Sequence, residues 1–219
     1  MATNYSMLKE SQSYLFDAFK SFFKKVIENQ ELLYNRLVES DLTLSEIYDE
    51  TAFLEEQVNL QYSDMIDECM WTIQKDQPRA GYLRFFIAVI NSVKDLERIS
   101  DHAEIIADYF LETTFTDNQK NQFLERFKDS IDRMKILYSF FKQNNISADG
   151  VEEIKRIRSE FFNQTNNVSV ALISHQADKN DDDSSKHIKL ILMFRHIERN
   201  IEHCINIIQN FGNIHITSK

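Results

Sequence analysis

The sequence predicts an all-α protein made of two tandem three-helix bundles. The 219-residue chain contains only three Gly and one Pro, which disfavours folds that need many tight turns. Hydrophobic residues recur with a helical period in six long segments. The stretch "VKDLERISDHAEIIADYF" at 93–110 also returns in altered form as "FRHIERNIEHCINIIQNF" at 194–211. This internal duplication predicts one three-helix repeat at 1–114 and a second at 115–219.

The apolar periodicity places the six helices at about 11–39, 45–75, 79–113, 117–143, 149–177 and 185–211. Phe-rich stripes in the first and fourth helices are spaced as core residues. Ser45 and Glu46 indicate the start of the second helix, and Pro78 indicates its end, because proline disfavours helix at the residue before it. "TTFTDNQ" supplies caps for the fourth helix, "NNISADG" separates the fourth and fifth, and "QADKNDDDSSKH" is predicted to be a loop.

The composition restricts the range of partners and compartments. With 35 acidic and 25 basic residues the net charge is −10, which repels nucleic acid and anionic lipid. We find no apolar run of membrane length and no signal-peptide pattern in "MATNYSMLKESQ". Cys69 and Cys204 lack metal-type spacing and are expected to be buried, reduced thiols. These features predict a soluble, cytoplasmic protein.

The repeated motif carries a pair of acidic residues in each copy. Glu97 and Asp101 are four residues apart, as are Glu198 and Glu202, so each pair shares one helix face. On a helical wheel each pair lies beside the apolar stripe, at the half-buried edge of a helix–helix contact. Such pairs repel each other unless arginines or a hard cation compensate the charge.

A second pair of oxygen-bearing side chains lies on the neighbouring helix. Glu55 and Asn59 are again four residues apart, and a short connection at Pro78 makes the second and third helices antiparallel neighbours. If these pairs face each other, four oxygen-bearing side chains form one patch, which is the ligand chemistry of a hard metal ion.

Motifs of known enzyme sites are not found in the sequence. The chain has no Gly-rich phosphate loop and no nucleophile motif, so we predict no catalytic residues and no organic cofactor. His102 and His203, which follow the acids in both copies, are expected to be structural. None of the six His has Glu three residues before it, so a ferritin-like di-iron enzyme lacks its defining Glu-x-x-His motif.

The segment "CMWTIQKDQPRAGYLRFFIAVINSVKDLERISDHAEIIA" at 69–107 resembles the PhoU family of phosphate-transport accessory proteins. In that family a "QP…LR" junction precedes "LERIGDHA…IA". The second copy, from Ile197 to Glu202, is similar to the family's weaker C-terminal repeat. Length and duplication extend the resemblance over nearly the whole chain.

The resemblance implies a cytosolic, homodimeric and non-enzymatic regulator. Such proteins restrain the phosphate-specific ABC transporter and quiet its sensor histidine kinase, so the transporter ATPase or that kinase is the expected partner. Contact with the membrane is expected only through these partners. The family also holds metal ions on acidic pairs, and Fe, Mn, Zn or Mg is expected here. The predicted metal ligands are Glu55, Asn59, Glu97, Asp101, Glu198 and Glu202.

The second half departs from the family pattern on the fifth helix. Ser159 and Asn163 stand where the resemblance implies carboxylates, and Glu160 and Gln164 lie one residue further along. A neutral pair lowers the affinity for a cation, so the second metal site is expected to be weaker. Two alternative functions stay open: a ferritin-like metalloenzyme, and a helical adaptor paralogue that has lost phosphate regulation.

Overall fold

The computed structural model describes the backbone of residues 5–39, 41–143, 148–174 and 181–215, and the side chains of 6–39, 41–143, 150–165 and 185–212. All regular secondary structure in these ranges is α-helical, which confirms the predicted fold class. The helices are α1 (Tyr5–Glu39), α2 (Leu44–Asp76), α3 (Gly81–Glu112), α4 (Asp117–Lys142), α5 (Ala148–Ser174) and α6 (Asp181–His215).

Capping residues define the starts of α2 and α4. Thr43 forms a capping box with Glu46: the Glu46 backbone N–H donates to Thr43 Oγ1 (3.3 Å), and the Thr43 N–H donates to the Glu46 carboxylate (2.8 Å). The predicted start at Ser45 was therefore slightly too late. Thr116 and Gln119 form the same motif before α4, as the Thr-rich "TTFTDNQ" segment predicted.

The first and last helices extend beyond their predicted ends. α1 begins at Tyr5 rather than near residue 11 because Leu8 is buried and adds an apolar turn to the core. α6 begins at Asp181, inside the predicted acidic loop, and continues to His215. The beginning of that loop, residues 176–180, lies outside the described residues.

The α2–α3 connection is a tight turn around Pro78. Gln77 ends α2 in the left-handed region (φ 47°), and its backbone N–H donates to the Ile73 carbonyl. Ala80, just before α3, also has a positive φ of 50°. This turn reverses the chain and packs α2 against α3 as an antiparallel neighbour.

Two groups of three helices share one core. α1, α2 and α3 pack together, α4 and α5 each pack on α6, and the two groups meet where α3 contacts α6 and α1 contacts α4. The buried apolar residues form a single cluster that crosses between the groups. The connection at Thr113–Thr116 lies at the predicted boundary, and the division into repeats at residue 114 stays a prediction.

Aromatic rings fill one end of the core. Phe19 is fully buried, and its ring centroid lies 5.0 Å from that of Phe211 and 5.5 Å from that of Phe141. Rings at these separations gain from edge and tilted contacts in addition to burial. The predicted core role of the Phe stripes is confirmed. Cys69 and Cys204 are buried free thiols, also as predicted.

Candidate functional site

The predicted first-half ligands lie along the contact between α2 and α3. Glu55 and Asn59 are on α2, Glu97 and Asp101 are on α3, and all four side chains are half-buried. The Asn59 amide donates a hydrogen bond to Glu55 Oε1. The helical wheel therefore predicted correctly that the first-half acids lie at the edge of a helix–helix contact and are partly buried.

Glu55 lies in a concentration of negative charge. Its pKa is raised to about 7, first by burial and then by the carboxylates of Glu104 and Asp101. The hydrogen bond from Asn59 acts in the opposite direction and favours the ionised form. The Glu55 carboxyl is therefore close to the midpoint of its titration at neutral pH.

Glu97 belongs to the same surface but has different electrostatic neighbours. Burial and the Asp101 carboxylate raise its pKa, whereas Arg98, Lys94 and His203 lower it. Asp101 is thus the carboxylate that acts on both Glu55 and Glu97. The structure brings Glu55, Asp101 and Glu97 into one row, which we call the acidic row. Asp101 lies between Glu55 of α2 and Glu97 of α3, and the Glu97 carboxylate also interacts with His203 of α6.

Glu104 is a member of this row that sequence reasoning missed. It accepts a hydrogen bond from the Tyr48 hydroxyl (3.4 Å), which ties α3 to the start of α2. The signal was present in the sequence: Glu104 is seven residues after Glu97, so the two project from nearly the same side of the helix. The repeated motif does not mark Glu104, because the corresponding position of the second copy is Ile205.

Arg98 provides part of the charge compensation. Its Nη1 donates to Asp101 Oδ2 at 3.3 Å, and its Nε lies 3.6 Å from Glu97 Oε2. Arg98 is more than half exposed, so these ion pairs are screened by solvent and contribute little to stability. This is the neutralisation by arginine that the sequence left open as an alternative to a cation.

The donor chemistry of the first half suits a hard cation, although the side chains do not form a closed site. Carboxylates of Glu55, Asp101 and Glu104 with the Asn59 amide oxygen are the ligands that Mg²⁺, Mn²⁺ and Fe ions accept. A bound cation would relieve the repulsion from Glu104 and Asp101, which adds to burial in raising the Glu55 pKa. Among the described residues, however, no group of three or more His, Cys, Asp and Glu side chains has the arrangement of a metal site.

The second-half pair also has arginine partners. Glu198 is only 2% exposed and its Oε2 accepts from Arg195 Nη1 at 2.7 Å, while Oε1 has no hydrogen-bond partner. Arg158 of α5 donates to Glu202 at 3.4 Å. The wheel expectation of a half-buried edge is wrong for Glu198, because α4 and α5 both pack on α6 and cover that face.

The α5 residues opposite this pair do not present carboxylates to it. Ser159 donates its hydroxyl hydrogen to the Arg156 carbonyl, one turn earlier on the same helix. Glu160 is paired with Arg156 at 3.4 Å and with Arg133 of α4 at 3.7 Å. The asymmetry between the two halves that the sequence predicted is therefore visible in the side-chain chemistry. Metal binding by Glu198 and Glu202 stays a prediction.

A buried polar network lies close to the acidic row. His102 Nδ1 is 2.7 Å from Asn200 Oδ1, the Asn200 amide donates to Gln30 Oε1 (3.4 Å), and the Gln30 amide donates to the Ile99 carbonyl (2.6 Å). These contacts connect α1, α3 and α6. Burial lowers the His102 pKa to about 3, so the imidazole is neutral.

The second His of the repeated motif is also held by a partner across the α3–α6 contact. His203 Nδ1 lies 2.7 Å from Asp95 Oδ1. The His102 ring centroid is 4.6 Å from that of His196 and 5.7 Å from that of His203. These contacts agree with the structural role predicted for the two motif histidines.

Within the part of the chain that the structure describes, no helix is both long enough and apolar enough to span a bilayer.

Comparisons with known proteins identify the family. Residues 19–110 match the PhoU domain. A Mycoplasma pneumoniae protein named "Uncharacterized protein MG409 homolog" is 30% identical over 217 residues, covering 95% of this chain and 94% of that protein. A Pseudomonas aeruginosa protein named "Phosphate-specific transport system accessory protein PhoU homolog" is 34% identical over 73 residues, 33% of this chain and 29% of that protein.

The fold extends the match over the whole molecule. The crystal structure of PhoU from Pseudomonas aeruginosa superposes with a TM-score of 0.80 at 18% identity, covering 94% of this chain and 97% of that chain. The resemblance found in residues 69–107 is thereby confirmed, and the chain belongs to the PhoU family.

Proposed function

We propose that this chain is a non-enzymatic regulator of phosphate uptake. It acts by binding a protein of the phosphate transport system, either the ATPase of the phosphate ABC transporter or the associated sensor histidine kinase. The observation that carries the proposal is the PhoU fold over 94% of the chain, together with the PhoU-domain match at 19–110. The named function of the Pseudomonas relative supports it. We place the protein in the cytoplasm as a homodimer.

The chemistry of the buried histidine supports a regulatory role in preference to a catalytic one. His102 is neutral at physiological pH because burial lowers its pKa to about 3. A general acid–base catalyst works best when its pKa is near the working pH. Both the burial and the hydrogen bond to Asn200 suit a group that holds helices together.

The first-half carboxylate row is proposed to bind a metal ion that modulates this function. Glu55, Asn59, Glu97 and Asp101 are the proposed ligands, with Glu104 as an added donor. The raised pKa of Glu55 supports this in part: burial is its largest cause, and the nearby carboxylates of Glu104 and Asp101, which also raise it, form a group that favours a cation. Fe, Mn, Zn and Mg are the candidate ions. Glu198 and Glu202 are proposed to bind metal more weakly, since Glu198 is buried beside Arg195 and the α5 residues Ser159 and Asn163 are neutral.

The regulatory proposal is tested by deleting the gene in its native cell and measuring phosphate uptake and phosphate-responsive expression. We expect uptake to escape its restraint when phosphate is plentiful, and the wild-type gene to restore it. Co-purification should recover the transporter ATPase or the sensor kinase. Unchanged uptake and expression, with neither partner recovered, would favour the helical adaptor that has lost phosphate regulation.

The metal proposal is tested separately by elemental analysis of purified protein. Glu55→Gln and Asp101→Asn should lower the metal content, whereas Glu56→Gln, which changes the adjacent exposed carboxylate of α2, should not. Equal metal content in all four proteins would remove the first-half site. A ferritin-like enzyme would in addition oxidise Fe²⁺ with turnover, and this activity is not expected.

A further inference from the structure

We propose that the outward face of α2 is a docking surface for a basic amphipathic helix of a partner protein. We call this face the α2 stripe. It combines four acidic and three large apolar side chains along the solvent side of the helix. Its residues are Asp49, Phe53, Glu56, Leu60, Asp64, Asp67 and Trp71.

Helix geometry aligns these side chains. Successive members are three or four residues apart, so all seven project within about 80° of each other around the helix. The stripe is about 33 Å long at 1.5 Å per residue. Buried α2 residues such as Val58, Met65 and Cys69 lie on the opposite side of the helix and face the core. The stripe is therefore the side of α2 that no other described helix covers.

The apolar members are unusually exposed for their size. Phe53 is 59% exposed, Leu60 57% and Trp71 54%. Single exposed apolar residues occur on most soluble proteins and carry no meaning. Three of them on one helical line, at spacings that keep them in register, form the kind of face that amphipathic partners bind.

The acidic members have no compensating charge. Among the described residues Asp49, Glu56, Asp64 and Asp67 take part in none of the ion pairs, whereas many acids of α1, α4 and α5 are paired with Lys or Arg. The single basic residue within α2 is Lys75, in its last turn. The stripe therefore presents unpaired negative charge between its apolar side chains.

Trp71 makes a cation–π contact within its own helix. The Lys75 ammonium lies 4.2 Å from its ring centroid, at cation–π distance. Aromatic residues also provide much of the binding energy at protein interfaces. A partner that offers Lys or Arg next to apolar side chains would match both kinds of group on the stripe.

Charge determines which kind of partner can bind the α2 stripe. A second copy of this chain docked through the same face would bring acidic side chains against acidic side chains, which is unfavourable. Anionic lipid and nucleic acid are repelled for the same reason. A basic helix with one apolar face pairs with the acids and buries Phe53, Leu60 and Trp71 together. The inference holds independently of metal binding and of the partner's identity.

The test uses the full-length protein and a synthetic 22-residue helical peptide with Leu on one face and Lys on the other. Trp71 is the only Trp in the chain, so its fluorescence reports binding at the stripe directly. We expect saturable binding that weakens as salt is raised, because ion pairs contribute. Leu60→Ser and Asp64→Asn should each weaken binding, by about tenfold for Leu60→Ser.

Three controls make the result specific. A peptide of the same composition with Leu and Lys scrambled around the helix should bind much more weakly. Ile136→Ser, which removes an exposed apolar side chain from α4 (42% exposed), should leave binding unchanged. Circular dichroism should show all variants equally folded.

Each of three outcomes would overturn the proposal. The first is equal binding of the ordered and scrambled peptides, and the second is no binding at low salt. The third is concentration-dependent dimerisation in sedimentation equilibrium that Leu60→Ser abolishes, which would make the stripe the contact between two copies of the chain. Loss of phosphate regulation in the cell is a separate measurement and does not decide among these outcomes.

Discussion

His102 on α3 and Asn200 on α6 form a buried hydrogen bond, with 2.7 Å between Nδ1 and Oδ1. They are 98 residues apart in sequence and lie on the two helices that carry the copies of the repeated motif. Asn200 also donates to Gln30 of α1. This single side chain therefore links three helices across the contact between the two halves.

Replacing Asn200 by Ala should destabilise the fold. The change leaves the His102 imidazole and the Gln30 carbonyl without their buried partner, and an unsatisfied buried polar group costs about 1–3 kcal/mol. The measurement is urea unfolding followed by circular dichroism. Asn206→Ala, an exposed position on the same helix, is the control and should change the stability by less than about 0.5 kcal/mol. Equal effects of the two substitutions would contradict a specific role for Asn200.

Replacing Phe19 by Ala should be more damaging still. Phe19 is fully buried against Phe211 and Phe141, so truncation loses burial and leaves a cavity. The expected loss is about 3–5 kcal/mol in the free energy of unfolding. Phe53→Ala deletes the same atoms at a position that is 59% exposed, so it should change the free energy of unfolding little. A loss below about 1 kcal/mol at Phe19 would show that the core collapses around the gap.

The ion pair between Glu31 of α1 and Lys135 of α4 should make stability depend on acid pH. The hydrogen bond from Lys135 lowers the Glu31 pKa below its ordinary value. The folded state therefore binds fewer protons than the unfolded state as pH falls. This stabilisation is present above the unfolded pKa and is lost as pH falls through the folded pKa. Because the pair is partly exposed, we expect Glu31→Gln to cost roughly 0.2–1 kcal/mol at pH 7.

The Glu31 effect should vanish in acid. The unfolding free energies of the wild type and Glu31→Gln should differ at pH 7 and become equal near pH 3. Glu10→Gln changes another carboxylate of α1, one whose side chain is exposed, and its unfolding free energy should equal that of the wild type at both pH values. A Glu31→Gln difference that is independent of pH would assign the effect to packing and not to the charge.

The two thiols should react only when the protein unfolds. Burial raises the pKa of Cys69 to about 12 and raises that of Cys204 as well, so neither forms appreciable thiolate at neutral pH. In a colorimetric thiol assay with an aromatic disulfide reagent the native protein should release almost no chromophore, and both thiols should react in denaturant. Rapid reaction of one thiol in the native state would show that its helix opens locally.

Local features of the fold were predictable because their causes are local. The Phe stripes and the Pro78 turn depend on spacing within one helix or one connection, and both were found as predicted. Errors arose at helix ends. Thr43 is the N-cap of α2 because its hydroxyl accepts a hydrogen bond from the Glu46 N–H, whereas Ser45, the predicted start, lies within the first turn.

The candidate site was predictable in part. Glu97 and Asp101 stand out through the repeated motif, and their helical spacing places them with Glu104 on one side of α3. The arginines that face the second pair were not predictable. Arg158 of α5 donates to Glu202 of α6, and the two residues are 44 positions apart in sequence. The periodicity of the sequence does not specify which α5 residue contacts α6.

The sequence by itself determined the helical class, the duplication and the family, because these depend on periodicity and motif spacing along the chain. Only the tertiary structure decided that Glu198 is buried and paired with the exposed Arg195, whereas Glu97 stays half-buried. It also decided that Asn200 and Gln30 meet His102. The physical reason is that burial and pairing depend on which helices cover a given face, and that follows from how six helices pack together.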